Sequence, residues 1–179
     1  MGSEEPQGEK TPRKRGRGDP RGAVCPQEVS QVSLARVQPR VELAWAMKAH
    51  QHAHVYFNLI SSVDPKFLKL TKADDRIYEE FRQTFRELRV DVLDPEELKS
   101  EPAKAKWRPF CLAFEGLVED FNFGTLLRLD SRREYSEENT IFATRIQFFA
   151  IEIARNREGC NDHVYGRARE TAAQEGKSG

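Results

Sequence analysis

The sequence predicts an all-α fold: a small single-domain orthogonal bundle of about five helices with one short extended segment, between disordered termini. Three observations predict it. Apolar and aromatic residues recur at steps of three and four through most of residues 41–160, the spacing of one helix face. Good helix formers crowd the early stretch ELAWAMKAHQHA. Asp-Pro pairs at Asp64-Pro65 and Asp94-Pro95 read as helix starts.

The elements follow in order. Residues 1–40 read as a disordered basic tail, because Gly, Pro, Arg and Glu dominate as far as Gly22 and no apolar period emerges. A helix is expected from Val41 to Leu59, with Trp45, Ala49, His52, Tyr56 and Leu59 on one face. Asp64 caps a short turn through Phe67, Leu68 and Leu70. A second helix begins near Thr71, with Asp74 completing a cap resembling a capping box, and buries Ile77, Phe81, Phe85 and Leu88. Glu79 and Arg82 are expected to pair on its wet side.

Asp94-Pro95-Glu96-Glu97 opens a third helix, its glutamates favoured by the positive helix end. A fourth covers Glu101 to Phe121, with Trp107, Phe110, Cys111, Phe114, Leu117, Val118 and Phe121 as its buried stripe. Pro109 should kink or divide it. Asn122-Phe123-Gly124 breaks that helix, and Thr125 to Leu129 reads as the extended segment. The last helix is expected over Thr140–Arg157, with Arg145, Glu152 and Arg155 on its polar side and Ile146, Phe149, Ala150 and Ile153 inward. Gly159 suits its C-terminal cap. Residues 161–179 read as a second disordered tail, so the domain is placed at 41–160.

Composition bounds the function. A chain of 179 residues fits one domain of about 100–200. No apolar run approaches the roughly 20 residues that span a bilayer. Cys25, Cys111 and Cys160 are too few to frame a disulfide scaffold, which points to a reducing compartment. The net charge of zero hides a division: residues 1–40 carry eight basic and five acidic groups, while 41–158 carry 18 basic and 21 acidic. A mildly acidic folded region argues against nucleic-acid binding by its surface. The run Arg13-Lys14-Arg15-Gly16-Arg17 reads as a nuclear localisation element, an RNA-contacting arm or a solvated tail.

No pattern for chemistry stands out. His50 and His54 share a helix face while His52 points elsewhere, and no fourth ligand for structural zinc is specified. Cys111 reads as a buried, inert thiol. Gly176-Lys177-Ser178 lacks the earlier glycine of a phosphate-binding loop, position 171 being Thr171. The glycine-rich turn of a dinucleotide or methyltransferase unit is missing, as is an Asp-x-Asp pair for a metal–nucleotide sugar. The expectation is a protein that is not an enzyme, with no cofactor and no metal.

Three blocks resemble one family, that of polysaccharide biosynthesis domain-containing protein 1. They are ELAWAMKAHQHAHVYFNLISSVDPKFLKLTKADDRIYEEFR, RVDVLDPEELKSEPAKAKWRPFCLAFEGLVEDFNFGTLLRLD and YSEENTIFATRIQFFAIEIARNREG, within Val41–Val164. The resemblance implies a small, mostly helical domain. It further implies a cytosolic chaperone for the newly made GTP-binding domain of translation elongation factor 1-alpha, near ribosome-associated factors. The family name implies a second reading, an accessory factor or enzyme of polysaccharide synthesis. Residues 1–40 depart from the family's more acidic lead-in, and its long Glu- and Lys-rich mammalian tail does not follow.

Partner contact is expected in Glu119–Asp130, at Phe121, Asn122, Phe123, Gly124, Arg128 and Asp130. Aromatics and arginine on a loop match the composition of interface centres. Either phenylalanine could instead plug the core. The protein is expected to be monomeric, cytoplasmic and away from membranes.

Overall fold

The computed structural model describes residues 39–177, with side chains from Leu43 onward. The expected N-terminal tail, its basic run at 13–17 and Cys25 lie outside the described residues. The elements are α1 (Pro39–Ser62), a 3-10 turn (Pro65–Phe67), α2 (Asp74–Thr84), α3 (Glu96–Lys99), α4 (Glu101–Leu112), β1 (Gly124–Arg128), β2 (Thr140–Thr144), α5 (Arg145–Arg157) and α6 (Asp162–Glu175). The fold is helix-dominated but not all-α. β1 and β2 form an antiparallel ribbon, in register from Gly124↔Thr144 to Arg128↔Thr140.

That ribbon corrects the expected last helix, which starts at Arg145 and not at Thr140. Thr140, Ile141, Phe142 and Thr144 are β-branched or aromatic, and such side chains suit a pleated surface. The helix proper is announced by Thr144-x-x-Gln147. Gln147 N–H donates to Thr144 Oγ1 at 3.3 Å, and Thr144 N–H donates to Gln147 Oε1 at 2.9 Å, a reciprocal capping box. Gly159, at φ +81°, ends the helix as expected. Cys160 N–H reaches back to Arg155 O at 2.8 Å, the six-to-one bond of a Schellman motif.

α5 is the axis of the molecule. Every residue from Ile146 to Asn156 is buried, so no side of this helix faces water. The expected wet stripe is therefore wrong in two of its three members: Glu152 and Arg155 are both 0% exposed. α1 lies against β1 and α6, and α2 packs on α5 and α4.

The main core holds Tyr56, Ile60, Ile77, Phe81, Trp107, Phe110, Phe114, Leu127 and the apolar residues of α5. On α1 the buried face is Ala49, Ala53, Tyr56 and Ile60, while Leu59 is exposed. Beyond α2, Phe85 stacks on Trp107 with ring centroids 4.1 Å apart, and Phe110 and Phe114 extend the aromatic run. Such pairs add about 0.5–1.5 kcal/mol each beyond their buried area. Arg82 does not pair with Glu79. It reaches Glu158 at 2.5 Å and caps Phe85 O and Leu88 O.

α4 ends at Leu112, three residues past Pro109, and turns carry the chain on to Phe121. Leu117, expected to be buried, stands exposed there. The 161–179 tail, expected to be disordered, contains α6. Asn161 and Val164 are buried and pin its first turn, whereas Glu170 to Lys177 are all exposed. Its polar sequence carries no apolar stripe because only that first part is covered.

Candidate functional site

The strongest electrostatic feature is enclosed. Glu152 Oε1 accepts from Arg155 Nη1 at 2.7 Å; Oε2 accepts from Tyr56 OH at 2.7 Å and Asn161 Nδ2 at 3.0 Å. Arg128 Nη2 lies 3.5 Å from Oε2 and donates to Asn161 Oδ1 at 2.7 Å. The remaining arms of the arginines fasten backbone. Arg155 donates to the carbonyls of Val90, Arg128 and Leu129, and Arg128 to those of Ser131 and Arg133. Burial alone would raise the Glu152 pKa, but Arg155, Arg128 and the bonds from Tyr56 and Asn161 outweigh it and hold it at about 2. The Tyr56 and Tyr135 phenols are pushed up, first by burial and then by the Glu152 charge.

This network sorts the candidate contact residues. Arg128, expected to meet a partner, is 0% exposed; its guanidinium braces the interior and lies over the Phe57 and Tyr135 rings. Asp130 is also turned to internal work. Its carboxylate accepts from Arg132 N–H at 2.9 Å, and its backbone is held by the Asn139 side chain. Gly124 lies under Trp45, where an added Cβ would stand 3.2 Å from the ring.

The other three residues sit together just before Gly124, at the start of β1. Phe121 packs half-buried against the main core, and its carbonyl accepts from Ile146 N–H at 2.9 Å. Asn122 is half-buried and, with Gly116 to Phe121, lines a shallow open depression. Phe123 is 52% exposed. Nearby on the ribbon, Phe142 is 54% exposed and leans on Trp45 with centroids 5.1 Å apart.

His50 and His54 are exposed along α1 while His52 is half-buried, as the helical spacing requires. His52 Nδ1 lies 3.0 Å from Thr125 Oγ1. Burial, and then the charge of Arg145, lower its pKa. Among the described residues, no group of three or more His, Cys, Asp or Glu is arranged to hold a metal ion. Cys160 is half-buried, and burial pushes its thiol up. No helix among the described residues is long and apolar enough to cross a membrane.

The sequence reading passed over Tyr56, Asn156 and Asn161 as polar network members, and Phe142 as a surface aromatic. The available signal was Glu152 and Arg155, three apart in a stretch, Phe148 to Arg155, otherwise made of Phe, Ile and Ala. Ionisable residues on such a helix are paired where they are buried.

A family model described as PBDC1 protein matches residues 41–166. The chain belongs to the PBDC1 family. Protein PBDC1 of Homo sapiens is 75% identical over 127 residues, which cover 71% of this chain and 54% of the relative. The chain thus spans about half the length of that human relative. Protein PBDC1 of Mus musculus is 70% identical over 138 residues, covering 77% of this chain and 70% of the relative. A PBDC1 homologue from Saccharomyces cerevisiae is 46% identical over 130 residues, covering 70% and 89%. The solution NMR structure of a Saccharomyces cerevisiae protein, yst0336, superposes with a TM-score of 0.67 at 44% identity over 76% of this chain and 96% of that one.

Proposed function

We propose that this protein is a non-catalytic polypeptide-binding module, a cytosolic chaperone that holds the newly made GTP-binding domain of translation elongation factor 1-alpha. The observation that carries the reading is a set of large apolar side chains left on the surface of a cross-braced domain: Phe67 at 82%, Leu112 at 60%, Phe142 at 54% and Phe123 at 52% exposure. Aromatic residues at a surface supply wide contact area at low ordering cost. The family resemblance supplies the client. The most strongly shifted carboxylate, Glu152, is sealed inside with its hydrogen bonds made, so the ionisable groups that stand out are employed in holding the fold.

Holding a folding intermediate lowers its free concentration and hence its aggregation, until nucleotide and native contacts replace the holder. The test is capture from a translation extract programmed with the message for the client's GTP-binding domain. Tagged protein should recover the nascent client with an intensity well above an unrelated nascent domain. Equal recovery of the two would remove the reading.

A further inference from the structure

Arg145 is set apart from the other arginines that are wholly or partly buried. Arg82, Arg128 and Arg155 each meet a carboxylate. Arg145 makes no ion pair among the described residues. Its guanidinium rests over the Phe149 ring, Cζ 5.4 Å from the centroid, and its Nε is buried with no hydrogen-bond partner. A guanidinium over an aromatic face is held in place while its charge stays unneutralised.

The ribbon fixes what stands beside it. Arg145 N–H donates to Phe123 O at 2.7 Å, so the antiparallel pairing runs one step past Gly124↔Thr144 and sets Arg145 opposite Phe123. Cys111 Sγ lies 3.9 Å from Thr144 Oγ1, which brings the end of α4 to the same helix start, and the next residue, Leu112, is exposed. The acids of the adjoining loop, Glu119 and Asp120, are exposed and make no ion pair with Arg145 among the described residues. They disfavour a partner of dense negative charge.

We infer that Arg145, Phe123 and Leu112 form the receptor for one carboxylate set in an apolar stretch of the client polypeptide. The inference rests on the chaperone reading given above. Arg145 takes the carboxylate, and Phe123 and Leu112 cover the apolar side chains beside it. Complementarity of charge selects this occupant: the arginine lacks an internal acid, and the rings set beside it, Phe149 and Phe123, are apolar.

The experiment uses the full chain and the nascent GTP-binding domain as probe, in the same extract, quantified by crosslinking. Arg145→Gln keeps a stem over Phe149 and removes the charge; Phe123→Ala removes the apolar neighbour. Each should lower capture about tenfold, the range of an interface anchor, with the thermal midpoint unchanged. Arg145→Lys should restore part of it. Raising salt should weaken capture by the parent protein and leave Arg145→Gln almost insensitive, a difference that a purely structural arginine would not produce. Capture by folded Arg145→Gln equal to the parent at every salt concentration overturns the inference and leaves the chaperone reading standing. Failure of the parent to capture the client removes both.

Discussion

At the scale of the residue, Glu152 and Arg155 decide the interior. Removing one member of a buried, hydrogen-bonded charge set leaves the rest uncompensated, at about 3–5 kcal/mol. Glu152→Gln is expected to cost that much, measured by urea denaturation at neutral pH. The acid limb has a definite sign. Glu152 falls from an ordinary 4.5 to about 2 in the folded state, so its stabilisation is present above about 4.5 and is lost as pH drops from there towards 2. Glu152→Gln should flatten that part of the stability–pH curve; an unchanged acid limb would show that Glu152 is not its source. These two residues were visible in the sequence, three apart, but a polar spacing of seven shared with Arg145 reads equally as a wet stripe. Periodicity reports which residues share a face, not which face meets water. The helix is enclosed because Arg128 and Tyr56 arrive from distant segments, and Asn161 from just past the helix end, to satisfy it, and no periodic pattern encodes that meeting.

At the scale of the element, the sequence was most legible where a cap or a turn residue acts alone. Gly159 ends α5 as its position suggests, and Asp94 accepts from Glu96 N–H at 3.0 Å at the start of α3. It was least legible at Thr140–Thr144, where five residues serve a strand that directly feeds a helix. Thr144-x-x-Gln147 was the available marker for that border. The same limit hid α6, whose apolar content is too small to show a stripe. Truncation tests the division of α6. Ending the chain after Arg169 removes, among the described residues, only exposed ones and should change stability by no more than about 0.5 kcal/mol. Ending it after Gly159 removes Asn161, a partner of Glu152, Arg128 and Asn156, and should cost several times more; circular dichroism melts compare the two. At the ribbon, Gly124→Val forces a side chain towards Trp45, and overpacking of this kind costs about 1–3 kcal/mol. A red-shifted tryptophan emission should accompany the loss.

At the scale of the whole molecule, the surface and the interior carry separate duties. Phe67, Phe123 and Phe142 can be changed to polar residues without touching the charge network, so Phe123→Ser should alter client capture and leave the unfolding free energy measured in urea within about 0.5 kcal/mol of the parent. The alternative suggested by the family name predicts ligand stabilisation. Incubation with sugar nucleotides should leave the thermal midpoint unmoved, and a rise of several degrees would favour that alternative over chaperoning. The candidate contact segment was half legible. Loop aromatics at Phe121 and Phe123 were evident from composition, but whether such a ring or the neighbouring Arg128 points in or out depends on strand register, which pairing with β2 sets.

The partners of Glu152 span the chain from Tyr56 to Asn161. A ribosome building the protein releases Tyr56 long before Asn161. Until then the central acid and its two arginines lack their full set of bonds, so the domain cannot mature segment by segment as it emerges. Closure of the network waits for its last member, so the domain locks in one step and not piecemeal.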